Sequence, residues 1–447
     1  MRCPVKLGVR LPLSCPGKSP AKLWLIGLIG GLLFVAAASG LGALTLEEAL
    51  DTALRNNIGI ELDRIELERR LRAQQSSHNR FHPSLSAGSQ LSRDIYSDSD
   101  DPWATQFSLS SNLSLSVESV RRGRLTAMQY QAGELNYESA QAALVRDVSN
   151  AFFGLLLEAE RIRIRREAVA AARERFELAE AEFEAGRISR YDLLSQRVAY
   201  ENQRPELAQL EDSYYLARRD FTLLIGLSPG DPVVPRGDIG SPVPVSTEAE
   251  FWSGYLERRP DIVRARLQIE ERRLGRSLAA NEFLPTLSLN ASVSRSNTTP
   301  FTEPWFGEDE SPWDKRGSFG IGLSVPLGTL LPNSQRRIAL EDADRRVQEA
   351  ELQYQRAVLR AENDIEAALR RLRRAESSLE LLDLNTELAE EAYRLAETSF
   401  EQGQIDALEL RNARLELERA QLAALEERYR GRIALIELEY AVGTGVE

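Results

Sequence analysis

The chain is poor in the residues that form covalent cross-links and metal sites. It has two cysteines, Cys3 and Cys15, both near the N-terminus, and two histidines, His78 and His82. The cysteines argue against a disulfide framework and against a cysteine zinc site. They also precede the apolar N-terminal run, so neither stands where the acylated cysteine of a lipoprotein would. A catalytic zinc usually has three protein ligands, so the histidine pair is expected to lie on the surface.

Basic charge and enzyme signatures are also scarce. The chain has 56 Lys+Arg against 68 Asp+Glu, a formal net charge of −12, and residues 1–43 carry basic but no acidic side chains. A surface of this sign repels polyanions, so nucleic acid is not an expected partner. The sequence contains no phosphate-binding loop and no nucleophile elbow. It therefore indicates neither an enzyme nor a bound cofactor or metal.

The N-terminal segment, residues 1–43, is predicted to be a secretory signal peptide. Lysines precede an apolar run from Leu23 to Ala38, which is shorter than a membrane-spanning helix. Ala36-Ala37-Ala38 and Leu41-Gly42-Ala43 are two candidate cleavage sites. An uncleaved signal anchor is the alternative.

The rest of the chain repeats one arrangement. Phe81-His82-Pro83-Ser84-Leu85-Ser86 opens an alternating stretch that leads into a long helical pattern, and Phe283-Leu284-Pro285-Thr286-Leu287-Ser288 does the same later. Each helical pattern covers about 65–70 residues, or ~100 Å of helix, a length typical of a tube or a scaffold. We divide the chain into a first repeat at 44–226, a linker with a short helix at 227–257, and a second repeat at 258–447.

Four stretches alternate apolar and polar residues with a period of two. They predict strands from about Leu85 to Leu91 and over residues 107–117, 287–294 and 318–327, each near the ~10 residues of a membrane strand. A half-buried strand of a soluble sheet has the same alternation and is the alternative. Four strands cannot close a membrane barrel, so other subunits must complete it. The residues expected to face lipid are Phe107, Leu109, Leu113, Leu115, Leu287, Leu289, Ile321, Leu323 and Val325.

Aromatic residues lie beside the ends of these strands, as in a membrane headgroup girdle. They are Tyr96, Trp103, Phe301, Trp305, Phe306 and Trp313.

Each repeat continues into a helical hairpin. In the second repeat, apolar residues step by four and three from Tyr354 to Phe400, which is an a/d coiled-coil seam. The first repeat keeps this register from Leu144 to Phe183, with charged residues at Glu158 and Arg165. Gly186 and Gly403 are predicted to turn the chain at the two hairpin tips.

Seven short motifs recur or stand at fixed places along the chain, each weak by itself. They are Leu44-Thr45-Leu46-Glu47-Glu48-Ala49, the two Phe-x-Pro-x-Leu strand openings, Arg259-Pro260-Asp261, the two glycine tips, and Val442-Gly443-Thr444-Gly445. In this order and spacing, they resemble the motifs of TolC-type outer-membrane efflux proteins, and the resemblance extends from Thr45 to Gly445.

The resemblance implies a mainly α fold with a transmembrane β part. In such homotrimers each protomer gives four strands to one twelve-stranded barrel and its coiled-coil hairpins to a periplasmic α-barrel. The implied function is a channel in the outer membrane of a Gram-negative bacterium, contacting lipid there and carrying substrates from an inner-membrane pump of RND or ABC type through a periplasmic adaptor. A duct for one-step (type I) protein secretion is one alternative, and a periplasmic coiled-coil scaffold or adaptor is another.

The resemblance also implies roles for residues near the tips. Relatives often have Asp in place of Asn412, and some have Arg in place of Ile405, so a weaker acidic ring is expected and the closed-state contact of Asp192 is in question. Three copies of Glu409 around an axis would favour cations; the alternative is that Glu409 faces the adaptor or solvent. The implied constriction residues are Leu408, Glu409, Asn412 and Asp192, and the implied adaptor contacts are Gly186, Arg187, Ile188, Gly403, Gln404 and Ile405.

Overall fold

The computed structural model describes residues 42–93, 103–231, 233–240, 255–297, 313–327, 331 and 334–443. These ranges contain long helices and an antiparallel sheet. The helices are α1 (Leu46–Asn56), α2 (Ile58–Gln75), α3 (Val117–Glu184), α4 (Arg190–Leu224), α5 (Pro260–Asn281), α6 (Gln335–Glu401) and α7 (Ala407–Val442). The strands are β1 (Gly42–Leu44), β2 (Ser84–Arg93), β3 (Trp103–Leu115), β4 (Val233–Pro235), β5 (Thr286–Asn297) and β6 (Asp314–Ser324), and short 3₁₀ helices cover Ser76–Phe81 and Leu256–Arg258.

The two long helices have the predicted length and bury the predicted seam. Helix α3 has 68 residues and α6 has 67. Seam residues of α6 pack against α7. Leu372 of α6 and Leu438 of α7 are among the most buried side chains. The buried seam residues of α6 are Ala361, Ile365, Ala368, Leu372, Ala375, Leu379 and Tyr393, and those of α3 are Leu144, Val148, Leu155, Ile162, Ala172 and Ala179.

Local signals explain where the shorter helices begin and end. The Thr45 amide donates to Glu48 Oε2 at 2.9 Å, and the Glu48 amide donates to Thr45 Oγ1 at 3.3 Å, a capping box that starts α1. Pro260 opens α5 in its first turn. The helix predicted to reach Phe81 ends at Gln75 and continues as a 3₁₀ helix. Serine and asparagine side chains in that segment compete for backbone hydrogen bonds, which weakens an α-helix.

The four longer strands form one sheet in the order β2-β3-β5-β6, with every pair antiparallel. The central β3–β5 pair joins the two repeats. Leu109 lies opposite Val293, and Ser110 lies opposite Ser292. Because directly opposed residues share a face, one face of the sheet is apolar and the other carries Ser, Gly and Asn. This alternation confirms the period-two prediction.

Two predicted strand ends are wrong. The Ser119 amide donates to Ser116 Oγ at 3.3 Å, so Ser116 caps α3 and Val117 is its first helical residue. Strand β6 ends at Ser324, so Val325, which was expected to face lipid from this strand, lies beyond it. Pro326 has no N–H for the ladder and restricts the backbone of the residue before it.

The end of the first repeat packs against its beginning. Gly226 has φ of 78°, and a Cβ there would lie 2.3 Å from the Asn56 carbonyl oxygen, so only glycine fits. Asn57 Nδ2 donates to the Leu224 carbonyl oxygen at 2.7 Å. Strand β1 pairs in parallel with β4 and begins at Gly42, ahead of the predicted repeat boundary at 44. These contacts join both ends of the repeat around one apolar core.

Some predictions fall on residues that the structure does not describe. They include the signal segment up to residue 41, residues 241–254 of the linker in which a short helix was predicted, and Tyr96, Phe301, Trp305 and Phe306. No α-helix in the described ranges has the length and apolarity needed to cross a membrane.

Candidate functional site

Both hairpins turn through the same backbone geometry. Gly186 and Gly403 each have φ of 69°. At each tip the amide after the glycine donates to a carbonyl oxygen five residues earlier at 2.8 Å, a Schellman closure of the helix end. The donor and acceptor are Arg187 and Glu182 at the first tip, and Gln404 and Ser399 at the second. The predicted positions of the two turns are confirmed.

At the first tip, the Asp192 carboxylate is part of the helix cap. Ser189 Oγ donates to Asp192 Oδ2 at 2.7 Å, and the Ser189 amide donates to the same oxygen at 3.2 Å. The Asp192 amide donates to Ser189 Oγ in return, at 3.2 Å. Asp192 is exposed, but its carboxylate therefore holds the first turn of α4.

At the second tip, the Glu409 carboxylate has no such bond. Asp406 caps α7, because its Oδ1 accepts a hydrogen bond from the Glu409 amide at 2.9 Å. The Glu409 side chain has no hydrogen-bond or ion-pair partner among the described residues. Glu409, Asn412 and Glu416 are exposed and recur at i, i+3 and i+7, so they share one face of α7. Leu408 is also exposed, whereas Leu410 is buried towards α6. The second tip thus presents a free carboxylate and an amide side by side.

Ile405 serves the apolar interior of the second tip. It packs with Phe400 on a cluster formed by Tyr393, Leu410 and Leu417. This packing explains why an apolar residue stands at position 405. The first tip is more open, because Phe183, the counterpart of Phe400, remains 39% exposed.

An ion-pair network joins α3, α4 and α7. Arg165 lies 2.8 Å from Glu206 of α4 and 3.0 Å from Glu418 of α7, and the Glu418 side chain is only 8% exposed. A second group of charges lies one turn of the seam away, where Arg161 contacts Glu158 and Glu426 at 2.8 and 2.5 Å. Sequence reasoning missed both networks, although the charged seam residues Glu158 and Arg165 were a visible signal.

Helix α6 carries a second apolar stripe. Its members are 53–68% exposed and follow heptad spacing on the side opposite the buried seam. They are Leu381, Leu384, Leu388 and Leu395. No described residue of the protomer covers them.

The apolar face of the sheet is exposed as well. Phe319, Ile321 and Leu323 of β6 are 72%, 67% and 70% exposed, and Leu109 of β3 is 55% exposed. The residues predicted to face lipid lie together on this face. The exception is Val325, which lies beyond the end of β6. On the other face Ser86 and Ser110 hydroxyls are 2.7 Å apart, and those of Ser292 and Ser318 are 2.8 Å apart. Within the described ranges, β2 and β6 have no strand beyond them.

The two histidines contact each other through their rings. The ring centroids of His78 and His82 are 5.8 Å apart in an edge-to-face arrangement. In the described part of the chain, no group of three or more His, Cys, Asp or Glu side chains is placed to hold a metal ion.

The sequence matches the family model of the outer membrane efflux protein over residues 49–227 and 253–444, most of the chain. Nodulation protein T of Rhizobium leguminosarum bv. trifolii is 22% identical over 70% of this chain and 66% of its own length. The outer membrane protein OprJ of Pseudomonas aeruginosa is 26% identical over 71% of this chain and 64% of its own length. The chain thus spans about two thirds of the length of these relatives.

The fold is similar to a solved outer membrane channel, CmeC of Campylobacter jejuni. The TM-score is 0.75 at 19% identity, over 90% of this chain and 86% of that one. The helical hairpins, the four-stranded sheet and the match along both halves of the sequence agree. The chain belongs to the outer membrane efflux protein family.

Proposed function

We propose that the protein is a homotrimeric channel of the outer membrane that conducts exported substrates from an inner-membrane pump and a periplasmic adaptor. The sheet is the observation that carries this proposal. It has one exposed apolar face, one polar face made mostly of Ser, Gly and Asn, and two edge strands without a neighbour in the described ranges. In hydrocarbon each unpaired backbone group would cost several kcal/mol, so the edges must pair with further strands.

Three copies of the sheet satisfy this requirement. One protomer supplies four strands, too few for a membrane barrel, and two supply eight, a barrel whose interior is filled by side chains. Three protomers supply twelve strands, enough for a barrel with an open lumen. The apolar face of each sheet contacts lipid, and the face with Ser, Gly and Asn lines a water-filled lumen. A passive duct of this kind needs no catalytic group of its own.

The second stripe on α6 supports the same assembly. A helix with apolar stripes on opposite sides packs between two partners. One partner of α6 is α7, through the seam. The partner of the outer stripe is a helix of the neighbouring protomer, so that the hairpins close into a tube around the same threefold axis.

The tips narrow the tube and meet the adaptor. Glu409 and Asn412 lie just after the second tip on an exposed face of α7, with Leu408 beside them. In the trimer the three copies of Glu409 form an acidic constriction. Asp192 takes part through the cap of α4 rather than as a free charge. The turns at 186–188 and 403–405 are the surfaces offered to the adaptor.

The assembly is tested with the outer stripe of α6. We expect Leu388→Gln to weaken the trimer, seen as smaller particles in mass measurements of the detergent-solubilised protein, while its helix content stays normal. Glu387→Gln, a change at the neighbouring exposed residue, is the matched control and should leave the trimer intact. A closed barrel formed by a monomer or dimer of the wild type would refute the proposal.

The orientation of the sheet is tested with an adjacent pair in β3. Leu109→Arg should cost ~2–4 kcal/mol of stability near the middle of the membrane. Ser110→Arg places the same side chain in the lumen and should cost much less. Unfolding of both variants from vesicles measures the difference, and equal costs would contradict a lipid-facing apolar side.

The constriction is tested by conductance in planar bilayers. Glu409→Gln should weaken cation selectivity and Asn412→Asp should strengthen it, because the ring focuses a negative potential in the narrowest part of the duct. Glu401→Gln, on the other side of the tip, is the control. Unchanged selectivity of Glu409→Gln in an intact trimer would place Glu409 outside the constriction, facing the adaptor or solvent.

Efflux and one-step protein secretion both require a trimeric duct of this geometry, so the structure is compatible with either. A strain lacking the gene separates them. Intracellular accumulation of small toxic compounds, with an unchanged set of secreted proteins, is the result expected for efflux. Loss of a secreted protein without such accumulation would favour the secretion duct instead.

A further inference from the structure

Two cations face each other at the end of the apolar side of the sheet. Lys315, the only lysine after Lys22, lies on β6 directly opposite Arg295 on β5. Like charges directly opposite each other in an antiparallel pair repel, with Cβ atoms ~4.5–5.5 Å apart. Both side chains are exposed, and neither forms an ion pair with another residue that the structure describes. Within the described strands, this repulsion is not balanced by an acidic side chain.

The cation pair marks the boundary of the apolar band. Phe107 lies opposite Arg295 on β3, and its ring is 5.4 Å from that of Trp313, which immediately precedes β6. From the row of Phe107 to the row of Leu115, at the helical end of the sheet, the strand rises about 27 Å. This is close to the ~25 Å apolar band of membrane barrels. Arg295 and Lys315 thus lie at the end of the band farthest from the helices.

No acidic side chain of the four described strands lies on this face beside the pair. Asp314 is the only acidic residue in strands β2, β3, β5 and β6, and it lies opposite Ser296 on the polar face. An arginine and a lysine held together, next to aromatic rings at a lipid–water boundary, fit a phosphate group. Arginine offers it a bidentate fork and lysine a point charge.

We propose that Arg295 and Lys315 bind a phosphate group of a glycolipid headgroup in the outer leaflet. The proposal rests on the proposed orientation of the sheet, with its apolar face in lipid. The large helical part is periplasmic, so the opposite end of the strands reaches the outer leaflet, where phosphorylated glycolipid is the anionic component. Binding would relieve the repulsion between the two cations and anchor the rim of the barrel.

The experiment compares lipid retention by trimers taken from vesicles of phosphatidylcholine doped with either lipid A or phosphatidylglycerol. The variant is Arg295→Gln with Lys315→Gln. Arg316→Gln is the matched control, because it is adjacent to Lys315 but lies on the polar face opposite Ser294. Native mass spectrometry of the intact trimer counts the bound lipid molecules.

We expect the double variant to retain lipid A about tenfold less strongly than the wild type, equivalent to about 1.4 kcal/mol. Its retention of phosphatidylglycerol should change little, and Arg316→Gln should retain both lipids as the wild type does. Unchanged lipid A retention in the double variant would overturn the site. Equal losses of both lipids would overturn the assignment to a glycolipid. A loss in Arg316→Gln alone would show that the polar face meets lipid, in which case the proposed orientation fails as well.

Discussion

The two helical hairpins have the same backbone turn at their tips, but the side chains in their interiors differ in chemistry. Their tips superimpose in sequence when Phe183 is placed on Phe400, and both turn through glycines with the same φ. At the same offset Arg165 corresponds to Leu382, and Glu158 to Ala375. The seam of the second hairpin is thus apolar where that of the first is charged. The repeat preserves the path of the chain while the chemistry inside it diverges.

The return helices differ in the same way. Helix α4 buries only Phe221 and Thr222 among its side chains, whereas α7 buries twelve residues spread along its length. Helix α7 packs on α6 and also contacts α3, where Ile436 joins the core of the first repeat. The second return helix therefore lies inside the protomer and the first at its edge. Partly buried ion pairs of Arg165 and Arg161 add to the apolar contact between the first hairpin and α7, whereas the seam of the second hairpin is closed by apolar side chains.

The largest effect is expected from removing Arg165. Arg165→Leu leaves the buried Glu418 carboxylate without its partner, and breaking a buried pair in this way costs ~3–5 kcal/mol. The loss is measured as the free energy of unfolding in denaturant, followed by helical circular dichroism.

A double change distinguishes the pair from simple packing. Arg165→Leu with Glu418→Leu gives the first seam the apolar character of the second, and replacing a buried pair by apolar residues is often neutral or stabilising. Stability close to wild type is expected. A double variant as unstable as Arg165→Leu would mean that the ion pair is not the reason for the difference between the hairpins.

The next effect concerns a position where the hairpins agree. Leu155 and Leu372 are equivalent in the two repeats and are 2% and 0% exposed. Leu→Ala at either site should cost ~2–5 kcal/mol through lost burial and the cavity that remains. The cost should not depend on protein concentration. Leu381→Ala, on the outer stripe of α6, should instead alter stability only through assembly and so depend on concentration.

How much the sequence predicts differs between the backbone and the contacts. The hydrophobic period, the capping residues and the glycines are local signals. They predicted the long helices, the tips, the capping box at Thr45 and the two faces of the sheet. The ends of strands depend on competing signals, which is why Val117 and Val325 were misplaced. The bonds of Arg165 to Glu206 and Glu418 join residues far apart in the chain, and no local pattern specifies which helices meet.

The caps at the tips give a smaller expected effect. Ser189→Ala removes the hydroxyl that accepts a hydrogen bond from the Asp192 amide and donates one to the Asp192 carboxylate. Asp406→Ala removes the side chain that caps α7. Loss of such a cap costs about 0.5–2 kcal/mol. The Ser189 variant should lose more, because it also releases Asp192, whereas Glu409 has no bond to lose. Hydrogen exchange of the first-turn amides of α4 and α7 measures both; greater opening of α7 would contradict this ranking.

The smallest expected effect lies in the helices before the strands. When Phe81 is placed on Phe283, Glu271 of α5 corresponds to Arg69 of α2. Arg69 is exposed and paired with Glu66 at 2.7 Å. Glu271 is partly buried and lines a cavity of about 550 Å³ between α3, α5 and α6. Burial raises the pKa of Glu271 above its ordinary 4.5, although Arg272 and Arg70 act in the opposite direction.

A carboxyl group with a raised pKa binds its proton more tightly in the folded than in the unfolded state. Its contribution to stability therefore grows as the pH falls through the raised pKa towards about 4.5, and its charge is unfavourable at neutral pH. Glu271→Gln should slightly raise the thermal midpoint at neutral pH and reduce its rise on acidification. Glu270→Gln is the control, because Glu270 is exposed and bonded to Arg273 at 2.8 Å. If Glu271→Gln lowered the midpoint at neutral pH, attraction to Arg272 and Arg70 would outweigh the cost of burying the Glu271 carboxylate. Both repeats would then stabilise a charged side chain at this equivalent position.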